Sequence, residues 1–339
     1  MLVSAIIVNL NARQMVLHCL ESLSVALTSV TGDCEIIVVD NHSTDGAPAA
    51  IRAAHPSVRL IALPENRGFA AGANAGAALA TGDWLLMLNN DTTIAPDAVV
   101  KLLAAADRPR IGGLGSQVRF AANGRINSAG FGVDRLGVAF ERHVGREPGR
   151  GDAAPTPVFG VSGGAALLRR TMFQQLAGFD ERFFVYLEDV DLAWRARMRG
   201  WEFVSVPSSI VHHRHSATSG HGSGFKHFHV GRNRVRLLAK NMPTGELIRR
   251  APGILAYELG YCAYTIVSDR TLMALRGRAA GVRDWREYRR LGQERRTVAL
   301  APVQGPWRAL RRRRGAMRGT SGLTTAGTGQ RADTTASAR

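Results

Sequence analysis

Nothing in the 339-residue sequence pairs its cysteines: Cys19, Cys34 and Cys262 are an odd number and form no Cys-x-x-Cys. That argues against a disulfide framework or a zinc ribbon and favours a reducing compartment. There is no uninterrupted apolar run of about 20 residues, the length that a spanning helix needs. The N-terminus, Met1-Leu2-Val3-Ser4-Ala5-Ile6-Ile7-Val8, has neither a basic region nor a small-residue cleavage site. The expectation is therefore a protein that stays inside the cell. No internal repeat occurs, and no Gly-x-Gly-x-x-Gly follows a strand. Negative charge is scarce in one region only. Residues 1–225 hold 20 Lys and Arg against 20 Asp and Glu, whereas residues 226–339 hold 24 against 7, so the whole net charge of +17 lies in the last third.

What is present is a normal globular share of hydrophobic residues, 45%, on a chain long enough for one large α/β domain plus an appendage. Val3–Val8 is a continuous apolar run, as in a strand buried on both faces. Val16, Leu20, Leu23 and Leu27 follow with helical spacing. Glu35-Ile36-Ile37-Val38-Val39-Asp40, Val58–Ala62 and Trp84–Leu88 read as further strands, with helical stretches at 49–54 and 69–80 and another opened by Pro96 and Asp97. Such alternation predicts a mostly parallel sheet flanked by helices, with ligands outside the carboxyl ends of its strands. Residues 111–165 lack clear periodicity and are expected to be irregular strands and loops. A strong helix is expected over 179–200.

The basic third suits an anionic surface, either phospholipid head groups or nucleic acid. A solvated basic tail is the plainer alternative. Its apolar stretch, 241–275, is interrupted by Pro243, Pro252 and several charges. It predicts helices that lie in an interface or pack on the domain. No helix-turn-helix, zinc-finger or aromatic RNA-binding signature accompanies the charge, so nucleic acid is not expected as a partner. The composition divides the chain into a domain at 1–225, a basic helical, membrane-associating extension at 226–300 and a disordered basic tail at 301–339.

Chemistry-bearing residues gather where strands end. Asp40 closes a buried strand and begins Asp40-Asn41-His42-Ser43-Thr44-Asp45-Gly46. Such a carboxylate can bond a nucleobase or ribose, and an Asx turn capping the next helix explains it equally well. Asn66-Arg67-Gly68-Phe69 leads into an Ala/Gly-rich helix containing Asn74; its glycines fit close helix packing. Asn89-Asn90-Asp91 ends a strand on one carboxylate, which suits Mg²⁺ or Mn²⁺ beside substrate phosphates or, again, a capping turn. Glu188, Asp189 and Asp191 cluster at a helix start with Arg195, Arg197 and Arg199 toward its end. The helix dipole favours that polarity, yet three carboxylates in four residues exceed what capping needs, and one can act as general base. Six of the ten histidines lie in 212–229, and one of His212, His213 and His215 could complete a metal site with Asp91. A separate zinc site lacks cysteine partners.

In their order, Val38-Val39-Asp40-Asn41-x-Ser43-x-Asp45-Gly46, Asn66-x-Gly68-Phe69, Asn89-Asn90-Asp91, Gly178-Phe179-Asp180-Glu181, Glu188-Asp189-x-Asp191-Leu192 and Pro207 through His213 resemble the family 2 glycosyltransferases. The rhamnosyltransferase-like subgroup of bacterial polysaccharide synthesis is the nearest in pattern. The resemblance spans about 3–220 and continues faintly through Asn233 and Lys240-Asn241-x-Pro243. It implies an α/β GT-A fold and an inverting transfer of a sugar, rhamnose from dTDP-rhamnose in that subgroup, from a nucleotide-sugar donor to a glycan or lipid-linked acceptor. It implies nucleotide contacts by Asn9, Asp40, Asn41, Asn66, Gly68, Asn74 and Asn90, with Asp40 on the base. Asp91 and His213 would hold Mg²⁺ or Mn²⁺, Asp189 would be the base, and Glu188 or Asp191 would orient the acceptor. Asn89 stands where the first Asp of the family's Asp-x-Asp often stands, which weakens the expected metal affinity. The expected place of work is the cytoplasmic face of a membrane, held peripherally. A sugar nucleotidyltransferase is the near rival, but no Gly-rich triphosphate loop follows the first strand. A non-enzymatic basic protein that binds nucleic acid or membrane is the distant one.

Overall fold

The computed structural model describes residues 3–149, 154–214, 223–292 and 295–304. His215, His221 and the predicted tail beyond 304 lie outside the described residues. Strand–helix units open the chain: β1 (Val3–Asn9) and α1 (Arg13–Thr28), β2 (Cys34–Asp40) and α2 (Ala47–Ala54), β3 (Arg59–Ala62) and α3 (Gly68–Leu79). Then come β4 (Trp84–Asn89), the short β5 (Thr92–Ile94) and α4 (Ala98–Ala104). The continuous apolar runs of β1 and β4 are buried on both faces, as an internal parallel strand requires. Register places Asn9 opposite Asp40 and Val8 opposite Asn89, so three polar strand ends meet at one edge of the sheet.

The middle of the chain is more regular than its sequence suggests. It supplies β6 (Ile111–Phe120), β7 (Ile126–Ser128), β8 (Phe131–Val133), β9 (Ala139–Glu141), β10 (Thr156–Val158) and β11 (Ala165–Arg169). The expectation of irregular structure fails for β6, ten residues that are nearly all buried. Gly112, Gly113 and Gly115 hide its apolar pattern, and Phe203 and Val161 pack where side chains at Gly113 and Gly115 would stand. Next are α5 (Arg170–Gln175), a 3-10 turn (Glu181–Phe183), α6 (Glu188–Met198) and β12 (Glu202–His213). The helix predicted over 179–200 thus begins only at Glu188, because Phe184, Tyr186 and Leu187 take left-handed φ angles of 67°, 69° and 67°. The chain closes with α7 (Gly224–Asn241), α8 (Thr244–Ser268), α9 (Met273–Arg283) and α10 (Trp285–Leu291). α8 continues through Pro252, so that proline does not break the apolar stretch as its presence suggests.

The main sheet runs β10-β12-β6-β11-β4-β1-β2-β3, with β5 on β12 and β7 on β6. The β4-β1-β2-β3 half is parallel; β11 enters antiparallel between β4 and β6 and makes the sheet mixed. Its two faces are covered by separate cores. One joins Val16, Leu20 and Leu23 of α1 and Val99 and Leu102 of α4 to Ile7, Leu86 and Leu88. The other joins Ala70 and Ala73 of α3, Leu192 and Trp194 of α6 and Leu237 and Leu238 of α7 to Ile6, Ile37 and Leu85. The glycines of α3 serve that packing: a Cβ on Gly76 would stand 2.6 Å from Ile6, and one on Gly72 2.8 Å from Val8.

Candidate functional site

A cavity of about 410 Å³ opens beside the carboxyl ends of β4 and β12. Asn89 and His213 stand on those strands, Asn127, Ser128 and Glu141 come from the β7–β9 region, and Glu188 and Asp189 come from the first turn of α6. Lys226 of α7 closes one side. Gly164, in the turn before β11, leaves room for the Asn89 side chain, whose Nδ2 lies 2.6 Å from where a Cβ would be.

The α6 carboxylates face two different ways. Asp189 accepts from the backbone N–H of Val190 at 2.8 Å and of Gly163 at 3.2 Å. Burial raises its pKa, and those two N–H groups oppose the rise. Glu188 is 6% exposed, and its Oε2 has no hydrogen-bond partner among the described residues. Burial, then the charges of Asp189 and Asp191, push its pKa well above the ordinary carboxylate value. Asp191 points away from the cavity, fully buried between helices. Burial alone would raise it, but Arg195, Lys240 and Asn241 bring its pKa down to about 2. Its Oδ2 accepts from Arg195 Nε at 2.7 Å and Lys240 Nζ at 2.9 Å, and its Oδ1 from Asn241 Nδ2 at 2.8 Å. Geometry therefore separates the cluster: Glu188 and Asp189 belong to the cavity, Asp191 to the scaffold.

At another edge of the cavity, His213 Nε2 lies 3.1 Å from Asp91 Oδ1. His213 Nδ1 meets Asn127 Oδ1 at 3.0 Å, and an amide oxygen only accepts, so Nδ1 carries the proton. With Nδ1 so engaged, Nε2 faces the Asp91 carboxylate at a distance that a shared proton or a divalent cation would bridge. The imidazole–carboxylate pair thus fits a divalent cation, with the Asn127 amide oxygen fixing the ring by the kind of bond that commonly orients a ligating histidine. Among the described residues no cluster of three or more His, Cys, Asp or Glu that could hold a metal ion occurs. The other described histidines of 212–229 lie elsewhere. His212 faces a smaller cavity with His18, His227 pairs with Asp269, and His229 stacks on Phe184.

The remaining polar residues form two hydrogen-bonded groups outside the cavity lining. Asn90 Nδ2 donates to Asn9 Oδ1 at 3.0 Å, and Asn9 Nδ2 donates to Asp40 Oδ1 at 3.0 Å. Asp40 Oδ2 accepts from the Ser43 N–H at 2.9 Å, so the capping turn is present and Asp40 is only 2% exposed. Asn41 holds Asn66 at 2.8 Å and accepts from the Arg67 N–H at 2.9 Å, shaping the turn into α3. Gly68, at φ 81°, packs on the Phe184 carbonyl where no side chain would fit. Asn74 stands apart: it bonds the backbone N–H and C=O of Phe179 at 2.9 Å each, and Glu181, pinning α3 to the segment before α6.

Sequence reasoning missed Asn127, Ser128, Glu141 and Lys226. The first three sit in the stretch without periodicity, and Lys226 reads as one more charge in a basic extension.

The sequence profile of the family "Glycosyl transferase family 2" matches residues 4–177. The chain is 34% identical over 207 residues to the N-acetylglucosaminyl-diphospho-decaprenol L-rhamnosyltransferase of Mycobacterium tuberculosis, covering 54% of this chain and 67% of the relative. It is 32% identical over 197 residues to the O-antigen biosynthesis protein RfbC of Myxococcus xanthus, covering 54% of this chain and 15% of that one. In fold it is similar to the crystal structure of GalNAc-T7 with UDP, GalNAc and Mn2+. The TM-score is 0.57 and the identity 17%; the match covers 71% of this chain and 48% of that structure.

Proposed function

The chain belongs to glycosyl transferase family 2, and from that premise we propose that its cavity transfers a sugar from a nucleotide-sugar donor to an acceptor hydroxyl, with inversion, in cell-surface glycan synthesis. The observation that carries this reading is that Asp189 and His213 line one cavity beside the strand ends where Asn9, Asp40 and Asn90 meet. Asp189 is the base. Its carboxylate, held by two backbone N–H groups and raised in pKa by burial, accepts the proton of the acceptor hydroxyl as that oxygen attacks the anomeric carbon. One displacement needs one base, so the configuration inverts. Glu188, raised in pKa by burial and with no partner for Oε2 among the described residues, orients the acceptor by a hydrogen bond. Asp91 and His213 are the residues that would hold Mg²⁺ or Mn²⁺. Such an ion supplies charge stabilisation for the departing diphosphate. Asn9, Asp40 and Asn90 form the nucleotide end.

The relative's name suggests the finer reading: rhamnose as the sugar and a diphosphate-linked lipid as the acceptor. A lipid acceptor requires access to a membrane surface. No helix among the described residues is long and apolar enough to cross one. The outward side of α8 nevertheless exposes Ile248 (71%), Leu255 (60%), Leu259 (69%) and Val267 (79%), beside exposed Arg249, Arg270 and Arg276. Such a face suits lying on an anionic surface. The test is transfer from radiolabelled nucleotide sugars to a lipid-linked acceptor, with wild type and Asp189→Asn compared. Transfer that survives in the variant, or label that appears only with a nucleoside triphosphate and sugar phosphate, overturns the reading.

A further inference from the structure

Asn233 of α7 is fully buried, does not line the cavity, and gathers three backbone carbonyls on one amide nitrogen. Its Nδ2 lies 2.8 Å from Phe183 O, 2.9 Å from Val185 O and 2.8 Å from Tyr186 O. Its Oδ1 accepts from Arg232 Nε at 3.1 Å, which keeps the NH₂ turned toward the carbonyls. Three acceptors converging on two N–H groups leave no slack.

The residues so held are the ones that deliver the carboxylates. Phe184, at φ 67° and ψ −65°, is the centre of a γ-turn closed by the Val185 N–H on Phe183 O at 2.8 Å. This hand of γ-turn is rare and strained, as are left-handed non-glycine residues. Tyr186 and Leu187 are left-handed too, and Leu187 is the N-cap of α6 with no side-chain cap. Glu188 and Asp189 follow at once. Nothing in the loop's own sequence favours that backbone, since it contains no glycine, Asn or Asp between Phe183 and Leu187. The Phe184 carbonyl is also tied, through the Ala70 N–H at 3.1 Å, to the start of α3. The loop therefore hangs between the start of α3 and α7, where Arg232 Nη2 also donates to Phe183 O at 3.0 Å and His229 stacks on Phe184, but only Asn233 reaches all three carbonyls.

We infer that Asn233 is a positioning residue: by holding the Phe183, Val185 and Tyr186 carbonyls it fixes the strained loop whose end aims Glu188 and Asp189 into the cavity. This rests on the assignment of Asp189 as base. Asn233→Asp keeps the shape and turns a carboxylate on those carbonyls, so the loop must release. Asn233→Ser keeps one donor and shortens its reach. A displacement of about 1 Å at a reacting group can lower turnover by about 10²-fold. The expected result is a fall in kcat of that order in Asn233→Asp and a smaller one in Asn233→Ser. The KM for the donor and nucleoside diphosphate affinity should stay within about twofold, because the Asn9–Asp40 end is untouched. If kcat and donor affinity fall together in step with thermal stability, or neither changes, the inference is wrong. Should Asn233→Asp fail to fold, Asn233→Ser decides by the same split. Asp189→Asn, run alongside, separates the two claims: turnover retained there removes the base, whereas turnover lost there but kept in both Asn233 variants removes only the positioning role.

Discussion

The parallel half and the α7 region hold their polar groups by opposite means. In the parallel half, Asn9, Asp40, Ser43 and Asn90 are mostly neutral, sit at strand ends and bond across adjacent strands whose register the backbone already sets. Around α7 the buried groups are charged and come from far along the chain. Lys240 reaches Asp180 and Asp191, Arg234 reaches Glu258 and two loop carbonyls, and Arg278 reaches Glu258. The first arrangement is a cup built before its side chains are considered. The second exists only while its charges are matched, since a buried charge without a partner is far more costly than a lost neutral bond. The composition changes at 226 while the packing continues through it.

The largest effect expected is on chemistry. Asp189→Asn should lower turnover by roughly 10²–10⁴-fold while nucleotide binding persists, as kcat and donor affinity measured together will show. A variant with wild-type turnover would move the base elsewhere. In wild type, kcat should fall as the pH drops through a value above the ordinary aspartate 3.8, because burial raises Asp189 and only its ionised form accepts a proton. A pH–rate profile whose acid limb lies at or below that value contradicts this.

Next in size is the contrast in stability. Asp191→Ala removes the carboxylate that Lys240 and Arg195 share, leaving Lys240 only Asp180 and Arg195 only backbone carbonyls, at a cost on the order of 3–5 kcal/mol by denaturant unfolding. Asn9→Ala, in the parallel half, should cost about 1–3 kcal/mol. Equal losses would erase the distinction drawn above. The sign with pH is also set. Asp191 has a folded pKa below its ordinary 3.8, so its contribution is complete above that value and disappears as the pH falls toward about 2. Within the parallel half, Gly76→Ala should destabilise by about 1–3 kcal/mol through its approach to Ile6 and Val39, with no change in relative donor affinity.

The parallel half was legible because its signals are local. Apolar runs, the helical spacing of Val16, Leu20 and Leu23, and polar residues at strand ends all follow from neighbours in sequence. The Asp91–His213 approach was legible only as a pattern, because β12 brings the two together across more than a hundred residues. The split between Asp189 and Asp191 was not legible: two residues apart on a helix, they face different surroundings, and Lys240 and Asn241 decide which is scaffold. The late start of α6 was hidden for the same reason, since Asn233 lies 50 residues beyond Phe183. β6 escaped notice because glycine carries no periodicity.

The smallest effect concerns the outer face of the α7 region, which carries no part of the site. Leu255→Glu with Leu259→Glu should reduce co-sedimentation with anionic vesicles several-fold and leave transfer to a soluble acceptor unchanged. Equal sedimentation of wild type and variant would mean that this face meets another partner. A truncation at 240 cannot substitute for that test, because it removes Asn241 and frees the end that Lys240 must anchor.

The reach of Asn233 back to Phe183 has a consequence for how the enzyme is made. During synthesis the nucleotide half leaves the ribosome first and can fold behind the growing chain. The loop that aims the base has to wait until α7 has emerged, 50 residues after the carbonyls it must grip. A 1–214 fragment released from the ribosome should therefore protect the β1–β4 core from protease while its 183–187 segment is still cut. Protection of both at that length would show that the loop closes without α7. On the proposed assignments, the half-made protein would bind its donor before it could use it, and the catalytic centre would be among the last parts of the molecule to be finished.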